Sequence, residues 1–309
     1  MKTTRIVIAG IGGVGGYFGG LLSKHFEESD KVDICFLARG EHLKAIQEKG
    51  LKVIQGESEF VTRPTLATDT ASEIGLVNFV IISTKSYDLE DSIRQLKPCI
   101  DDNTILLPLL NGVDSKERIE QLLPNNLVLN GCVYIVSRLA APGVIANTGN
   151  IQKLFFGLDD YTNPELNRLE NLFKEAGLEA RKSNKISSII WEKFIFISAL
   201  ATATSYFNCN IGELLNSEEK LETFEVLVEE VVQIANKKQV ISADGLVEKT
   251  IQKVETMSPN ATASMHSDFI AGKQSELETL TNYVIREGRK YGIETPTYGM
   301  AYEFLKGGY

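Results

Sequence analysis

Residues 5–20 read RIVIAGIGGVGGYFGG, a β-branched apolar run that breaks into glycines at Gly10, Gly12 and Gly15. The spacing is GxGxxG, directly after a predicted strand (residues 5–9) and before a predicted helix (14–25). In that setting the first glycine permits a tight turn, and the second admits a pyrophosphate close to the backbone. The third lets helix and strand pack closely, so that the helix N-terminus faces negative charge. Gly10, Ile11, Gly12, Gly13, Val14 and Gly15 are thereby the candidate phosphate-binding residues. A lone GxGxxG is common; its place between strand and helix directs the N-terminal part toward a nucleotide-binding α/β fold.

Two other readings of the same segment are weaker. Residues 6–23 carry no charge, as in a membrane span with a GxxxG face, but their many glycines make a poor isolated helix. No small-residue cleavage site follows a compact apolar core, so a signal peptide is not expected either. The chain reads as soluble and cytoplasmic. With 309 residues it is long enough for two domains, and its net charge of -9 argues against nucleic acid or an anionic membrane as partner. A small anionic ligand stays open, because a few local cations suffice to hold one. Cys35, Cys99, Cys132 and Cys209 are scattered, as are His25, His42 and His266, so neither a disulfide framework nor a metal site is expected.

Strand-like runs at 5–9, 32–38, 77–83 and 104–107 alternate with helix-like stretches at 14–25, 42–49 and 89–96. That order predicts a Rossmann-type, doubly wound, mostly parallel sheet. Further strands are expected at 130–137, 144–147 and 153–157, with a turn at Ala141-Pro142-Gly143, and a helix at 164–176 closed by Gly177. The second half is helical throughout: 184–207, 218–239, 245–257 and 273–291. Residues 194–207 are uncharged, as befits a helix inside a domain or at the seam of a homodimer. The expected domains are 1–183, binding the dinucleotide, and an all-helical 184–309. A ligand would lie at the carboxyl ends of the strands, in the crevice between domains.

The second strand ends in Arg39 rather than an acid. A carboxylate there would hold the ribose hydroxyls of NAD, whereas a guanidinium suits the 2′-phosphate of NADP(H). NADP(H) is therefore the expected cofactor, although an ordinary solvated arginine in a turn would look the same.

Several short motifs occur together: Leu37-Ala38-Arg39-Gly40-Glu41, Ser83-Thr84-Lys85-Ser86, Leu109-Leu110-Asn111-Gly112-Val113, Trp191-Glu192-Lys193-Phe194, Ser264-Met265-His266-Ser267-Asp268 and Glu276. In joint order and spacing the chain resembles the ketopantoate reductase (2-dehydropantoate 2-reductase) family, essentially end to end. The resemblance implies NADPH-dependent reduction of a small-molecule 2-oxo acid, ketopantoate, to its 2-hydroxy acid, pantoate, in pantothenate biosynthesis. It implies Lys193 as catalytic lysine and Glu276 as active-site carboxylate. Asn111 and Lys85 would stand near nicotinamide and substrate, and Ser264 would contact substrate.

The residue types suit that chemistry independently. Hydride arriving at a ketone carbon leaves an alkoxide, which an ammonium such as Lys193 can first stabilise and then protonate. A carboxylate such as Glu276 can orient the ammonium, and the Asn111 amide can donate and accept. Plainer roles fit too: Lys193 snorkelling to solvent, Asn111-Gly112 as a turn, Lys85 at the surface, Glu276 as an exposed carboxylate. His266 reads as structural.

The chain departs from the family where the family carries substrate-binding asparagines. Four and eight residues after Lys193 stand Ile197 and Ala201, and Ile211 precedes Gly212-Glu213-Leu214. Ser198, Thr202, Asn208 and Asn210 lie close enough in sequence to replace the lost hydrogen bonds. Neutral drift, with a water filling the space, would account for the same changes, as would a substrate that is a 2-oxo acid with a branched apolar side chain. Two further alternatives are a non-catalytic NADP(H)-binding sensor and an oxidoreductase of the wider 6-phosphogluconate dehydrogenase-like group, acting on a 3-hydroxy acid or an imine.

Overall fold

The computed structural model describes residues 3–242 and 244–308; residues 1, 2, 243 and 309, which fall inside the expected domain ranges, lie outside the described residues. The chain opens with β1 (Thr4–Ala9), α1 (Gly13–Phe26), β2 (Val32–Leu37) and α2 (Gly40–Lys49). A hairpin follows, β3 (Leu51–Gln55) and β4 (Ser58–Thr62), then β5 (Leu66–Thr68), β6 (Phe79–Ile82), α3 (Leu89–Leu96) and β7 (Ile105–Pro108). Next come α4 (Ser115–Leu122), β8 (Leu127–Val128), β9 (Asn130–Tyr134), β10 (Ser137–Ala141) and β11 (Val144–Asn147). β12 (Lys153–Gly157), α5 (Pro164–Glu175) and β13 (Glu179–Ser183) complete this part.

Six of these strands form one sheet in the order β5-β2-β1-β6-β7-β8, parallel at every pairing. Counted along the chain within the sheet, that is 3-2-1-4-5-6, the order that puts a topological switch between β1 and β6. Each residue of β6 (FVII) and β7 (ILLP) is buried. Continuous apolar runs of this kind belong to strands covered on both faces. Helix α3 turns Leu89, Ile93 and Leu96 inward, a stripe at i, i+4, i+7.

Two smaller sheets accompany the main one. One has the order β10-β11-β3-β4 and the other β13-β12-β9. The single strand expected at 130–137 is in fact two, because β9 pairs with β12 whereas β10 pairs with β11 across the Ala141-Pro142-Gly143 turn. Helix α5 is capped at both ends. The Asn163 side chain accepts the Glu165 N–H, and Gly177, at φ +74°, lets Leu178 N–H reach the Phe173 carbonyl at 2.9 Å.

The helical part comprises α6 (Ile186–Tyr206), α7 (Ile211–Leu215), α8 (Glu218–Lys237), α9 (Leu246–Glu255), α10 (Ser264–Ile270), a π-helical turn at Glu278–Asn282, α11 (Tyr283–Tyr291) and α12 (Pro296–Lys306). The expected helix at 273–291 is shorter, because residues 271–276 are not helical. By length and composition α6 would be long enough to cross a membrane. Here it is a core helix: Phe194, Ile195, Ala199, Leu200 and Ala203 pack with Phe224, Val228, Val231, Leu280 and Tyr298. The chain divides into two compact units, residues 3–110 with 114–186, and residues 111–113 with 187–308. Asn111, Gly112 and Val113, which chain order assigns to the first domain, thus belong to the helical unit.

Candidate active site

In the first unit the glycine loop joins β1 to α1. Gly10 adopts φ +87°, and a β-carbon there would meet the Thr84 nitrogen at 2.7 Å. A β-carbon on Gly15 would meet the Gly10 carbonyl oxygen at 2.2 Å, and one on Gly13 the Ser137 oxygen at 2.2 Å. Gly12 differs: it is the N-cap of α1, and a β-carbon there would meet nothing within 4 Å. Open space above a helix N-terminus, with no acid in the first turn, is what a pyrophosphate needs. Ser83 Oγ and Thr84 Oγ1, in the segment packed against Gly10 and Gly15, are buried without a hydrogen-bond partner. Unpaired buried hydroxyls are costly unless a ligand meets them, so this cradle fits a dinucleotide.

Arg39 is the N-cap of α2 and its side chain is 88% exposed, 3.7 Å from Asp88 Oδ2. The guanidinium is thus available to a phosphate. Lys85 is half-buried and precedes the turn Ser86–Asp88. That turn is pinned from α4: Arg118 donates to both oxygens of Glu90, at 2.7 and 2.8 Å, and to the Ser86 carbonyl at 2.7 Å.

His42 was not among the candidate site residues, yet it ties α2 to the turn between β10 and β11. Its Nδ1 accepts the Gly143 N–H at 2.8 Å, which places the ring proton on Nε2, a buried atom with no hydrogen-bond partner among the described residues. Burial pushes its pKa below the ordinary histidine value, and the Ile11 backbone offsets this in part. The available signal is position, three residues after Arg39.

The helical unit collects three of the expected residues. Lys193 lies on α6, in a stretch whose Trp191 and Phe194 rings are buried edge-to-face against each other, and its Nζ donates to Asn111 Oδ1 at 3.0 Å. Asn111 Nδ2 in turn donates to Glu276 Oε2 at 3.3 Å. An ammonium only donates and a carboxylate only accepts, so this amide orientation satisfies both neighbours. Glu276 is 4% exposed, not a surface carboxylate. The array places an amine and a carboxylate on either side of one amide, a layout suited to delivering a proton.

Ser264 is exposed at the first position of α10. Two residues on, His266 is buried and held at both nitrogens, 2.6 Å from Thr262 Oγ1 and 2.9 Å from Asn208 Oδ1. Its expected structural character agrees with this. Burial lowers its pKa, against a smaller opposing effect of Glu213.

The four residues expected to replace the missing asparagines are engaged elsewhere. Ser198 donates to the Leu280 carbonyl (2.6 Å), and Thr202 bonds Thr281 Oγ1 (2.8 Å). Asn208 holds His266, and Asn210 caps α7 in a reciprocal pair with Glu213. Ala201 and Ile211 are buried among apolar neighbours, and Ile197 packs against the same cluster.

Comparison with known proteins adds sequence relatives. A family model described as "Ketopantoate reductase PanE/ApbA" matches residues 6–160, and one described as "Ketopantoate reductase PanE/ApbA C terminal" matches residues 185–308. An "Uncharacterized oxidoreductase YkpB" of Bacillus subtilis strain 168 is 28% identical over 303 residues, 98% of each chain. A 2-dehydropantoate 2-reductase of Lactococcus lactis is 28% identical over 305 residues, 94% of each chain. The crystal structure of 2-dehydropantoate 2-reductase from Porphyromonas gingivalis W83 superposes with a TM-score of 0.87 at 35% identity, covering 99% of this chain and 100% of that one.

Proposed function

Since the chain belongs to the ketopantoate reductase family, and is an oxidoreductase by that membership, we propose that it reduces ketopantoate to pantoate with NADPH in the cytoplasm, as a step toward pantothenate. The observation that carries the reading is the Lys193–Asn111–Glu276 array, an amine and a carboxylate held on one amide.

When bound, the reduced nicotinamide supplies the hydride. The chain's own residues do the rest. Backbone amides at the start of α1 receive the pyrophosphate above Gly12, and the Arg39 guanidinium takes the 2′-phosphate. Lys193 Nζ polarises the ketone oxygen and then gives it a proton, converting the alkoxide to a hydroxyl. Asn111 aims the amine, and the Glu276 carboxylate in turn holds the Asn111 amide in that orientation. Lys85 holds the substrate carboxylate, and the Ser264 hydroxyl contacts the substrate.

A second reading concerns the substrate alone. Ile197, Ala201 and Ile211 are apolar, and Ser198, Thr202, Asn208 and Asn210 are bonded within the protein. These observations favour a 2-oxo acid with a branched apolar side chain over one with a terminal hydroxyl. Steady-state oxidation of NADPH and NADH with ketopantoate and with 2-oxoisovalerate decides between them through kcat/KM. A much larger value for ketopantoate removes the second reading. Tight NADPH binding without turnover of any 2-oxo acid would instead mark a sensor.

A further inference from the structure

The π-helical turn begins at Glu278, two residues after Glu276. Its hydrogen bonds run in two directions through one residue: Leu280 N–H donates to the Glu276 carbonyl at 2.9 Å, and the Leu280 carbonyl accepts from Ser198 Oγ at 2.6 Å. A π turn widens the helix and moves its carbonyls off their usual i+4 donors, and here a side-chain hydroxyl from another helix also reaches one of them. Ser198 has one hydroxyl proton, and the Leu280 carbonyl can only accept it. Tyr298, whose oxygen lies 2.7 Å from Ser198 Oγ, is then the donor in that pair.

Ser198 stands five residues after Lys193 on the same helix. The connections therefore close on themselves: Lys193 through α6 to Ser198, to Leu280, to Glu276, to Asn111 and back to the Lys193 amine. Thr202, nine residues after Lys193, adds a second tie from α6 into the turn through Thr281. Ser198, Thr202 and Thr281 are each fully buried, so solvent does not compete for these bonds.

We propose that Ser198 is a positioning residue of the reaction: by holding the π turn through Leu280, its hydroxyl sets where Glu276, and with it Asn111, stands against the Lys193 amine. Thr202 supports the same register. The hydroxyls that substitute for nothing in the substrate pocket thus have a use, which is to fix the proton-donating array from behind. The role of the array in proton delivery rests on the functional reading above; its geometry does not.

The test uses the full-length enzyme with Ser198→Ala, Thr202→Val and, as control, Thr204→Val. Thr204 is an equally buried hydroxyl of α6 that bonds only its own helix, at the Leu200 and Ala201 carbonyls. Loss of alignment at a reacting group lowers kcat about tenfold in Ser198→Ala, and in the same direction in Thr202→Val, with NADPH affinity unchanged. The control keeps wild-type kcat. Competitive acetylation of Lys193, read by peptide mass spectrometry against Lys306, needs no turnover and shifts roughly threefold in Ser198→Ala but not in the control. Wild-type kcat and wild-type Lys193 labelling in both tie-removing variants overturn the proposal, as does an equal loss in the control. A wild-type enzyme that turns over no 2-oxo acid sinks the functional reading, while the labelling still decides the positioning claim.

Discussion

The amine of Lys193 and the amide oxygen of Asn111 are 3.0 Å apart although 82 positions separate them in the chain. Lys193 is therefore not a lysine reaching for solvent along an apolar helix. Its ammonium has a polar acceptor, and the amide nitrogen of that same side chain donates to Glu276. The amide fixes direction without neutralising charge, leaving the proton on nitrogen for transfer.

Removal of that amine separates chemistry from cofactor binding. Lys193→Ala is expected to lower kcat/KM by roughly a hundredfold to ten-thousandfold while NADPH binds as before. Steady-state kinetics paired with a fluorescence titration of NADPH checks this. Unchanged turnover would show that the proton comes from another group.

Arg39 is solvent-exposed, with only Asp88 at 3.7 Å as ion-pair partner among the described residues, so its loss costs the fold little. Arg39→Ala is expected to weaken NADPH binding roughly tenfold to a hundredfold, the range of a charge-assisted phosphate contact, and NADH binding hardly at all. Calorimetric titration with both coenzymes measures the difference. Equal losses for the two would remove Arg39 from recognition of the 2′-phosphate.

The glycines of the loop separate by mechanism. In Gly15→Ala the new β-carbon would lie 2.2 Å from the Gly10 carbonyl oxygen, so the melting temperature falls. In Gly12→Ala the β-carbon meets no protein atom, so stability holds, but it fills the space above the helix start and NADPH binding weakens. Thermal melts alongside titrations test the pair. A Gly12→Ala protein that binds normally would mean that the pyrophosphate does not sit there.

Acid acts on half-buried His42 and buried His266. Burial lowers the pKa of both His42 and His266 from 6.5, with Ile11 and Glu213 respectively opposing. Below that value the unfolded chain binds more protons than the folded one. Their stabilisation is therefore full above pH 6.5 and is lost as pH falls through the lowered folded values. Melting temperatures of wild type and His266→Gln, compared from about pH 7.5 downward, should converge on acidification as the histidine contribution disappears. A pH-independent gap between them counts against this assignment.

The parallel sheet is legible in the sequence because its strands are continuous apolar runs separated by helical stripes, a local pattern. The β3–β4 hairpin has a local signal too, alternating residues around Gly56-Glu57, with Gly56 at φ +57°, but it lies outside the strand–helix alternation that organises the rest. The split of residues 130–141 between two sheets is not local: it depends on whether β12 or β11 lies alongside. The same holds for the site. Lys193, Asn111 and Glu276 stand out by motif, yet nothing in the residues between them shows that they meet. Ser198 and Thr202 read as spare polar groups because their partners, Leu280 and Thr281, are 82 and 79 positions away.

Asn111, Gly112 and Val113 interrupt the first unit's sequence and group with the helical one. A chimaera spliced near residue 186, taking its helical half from a donor relative, would therefore import the donor's amine and carboxylate but retain the recipient's amide. Proper grafting of the proton-delivery trio has to include this three-residue detour as a separate transplant.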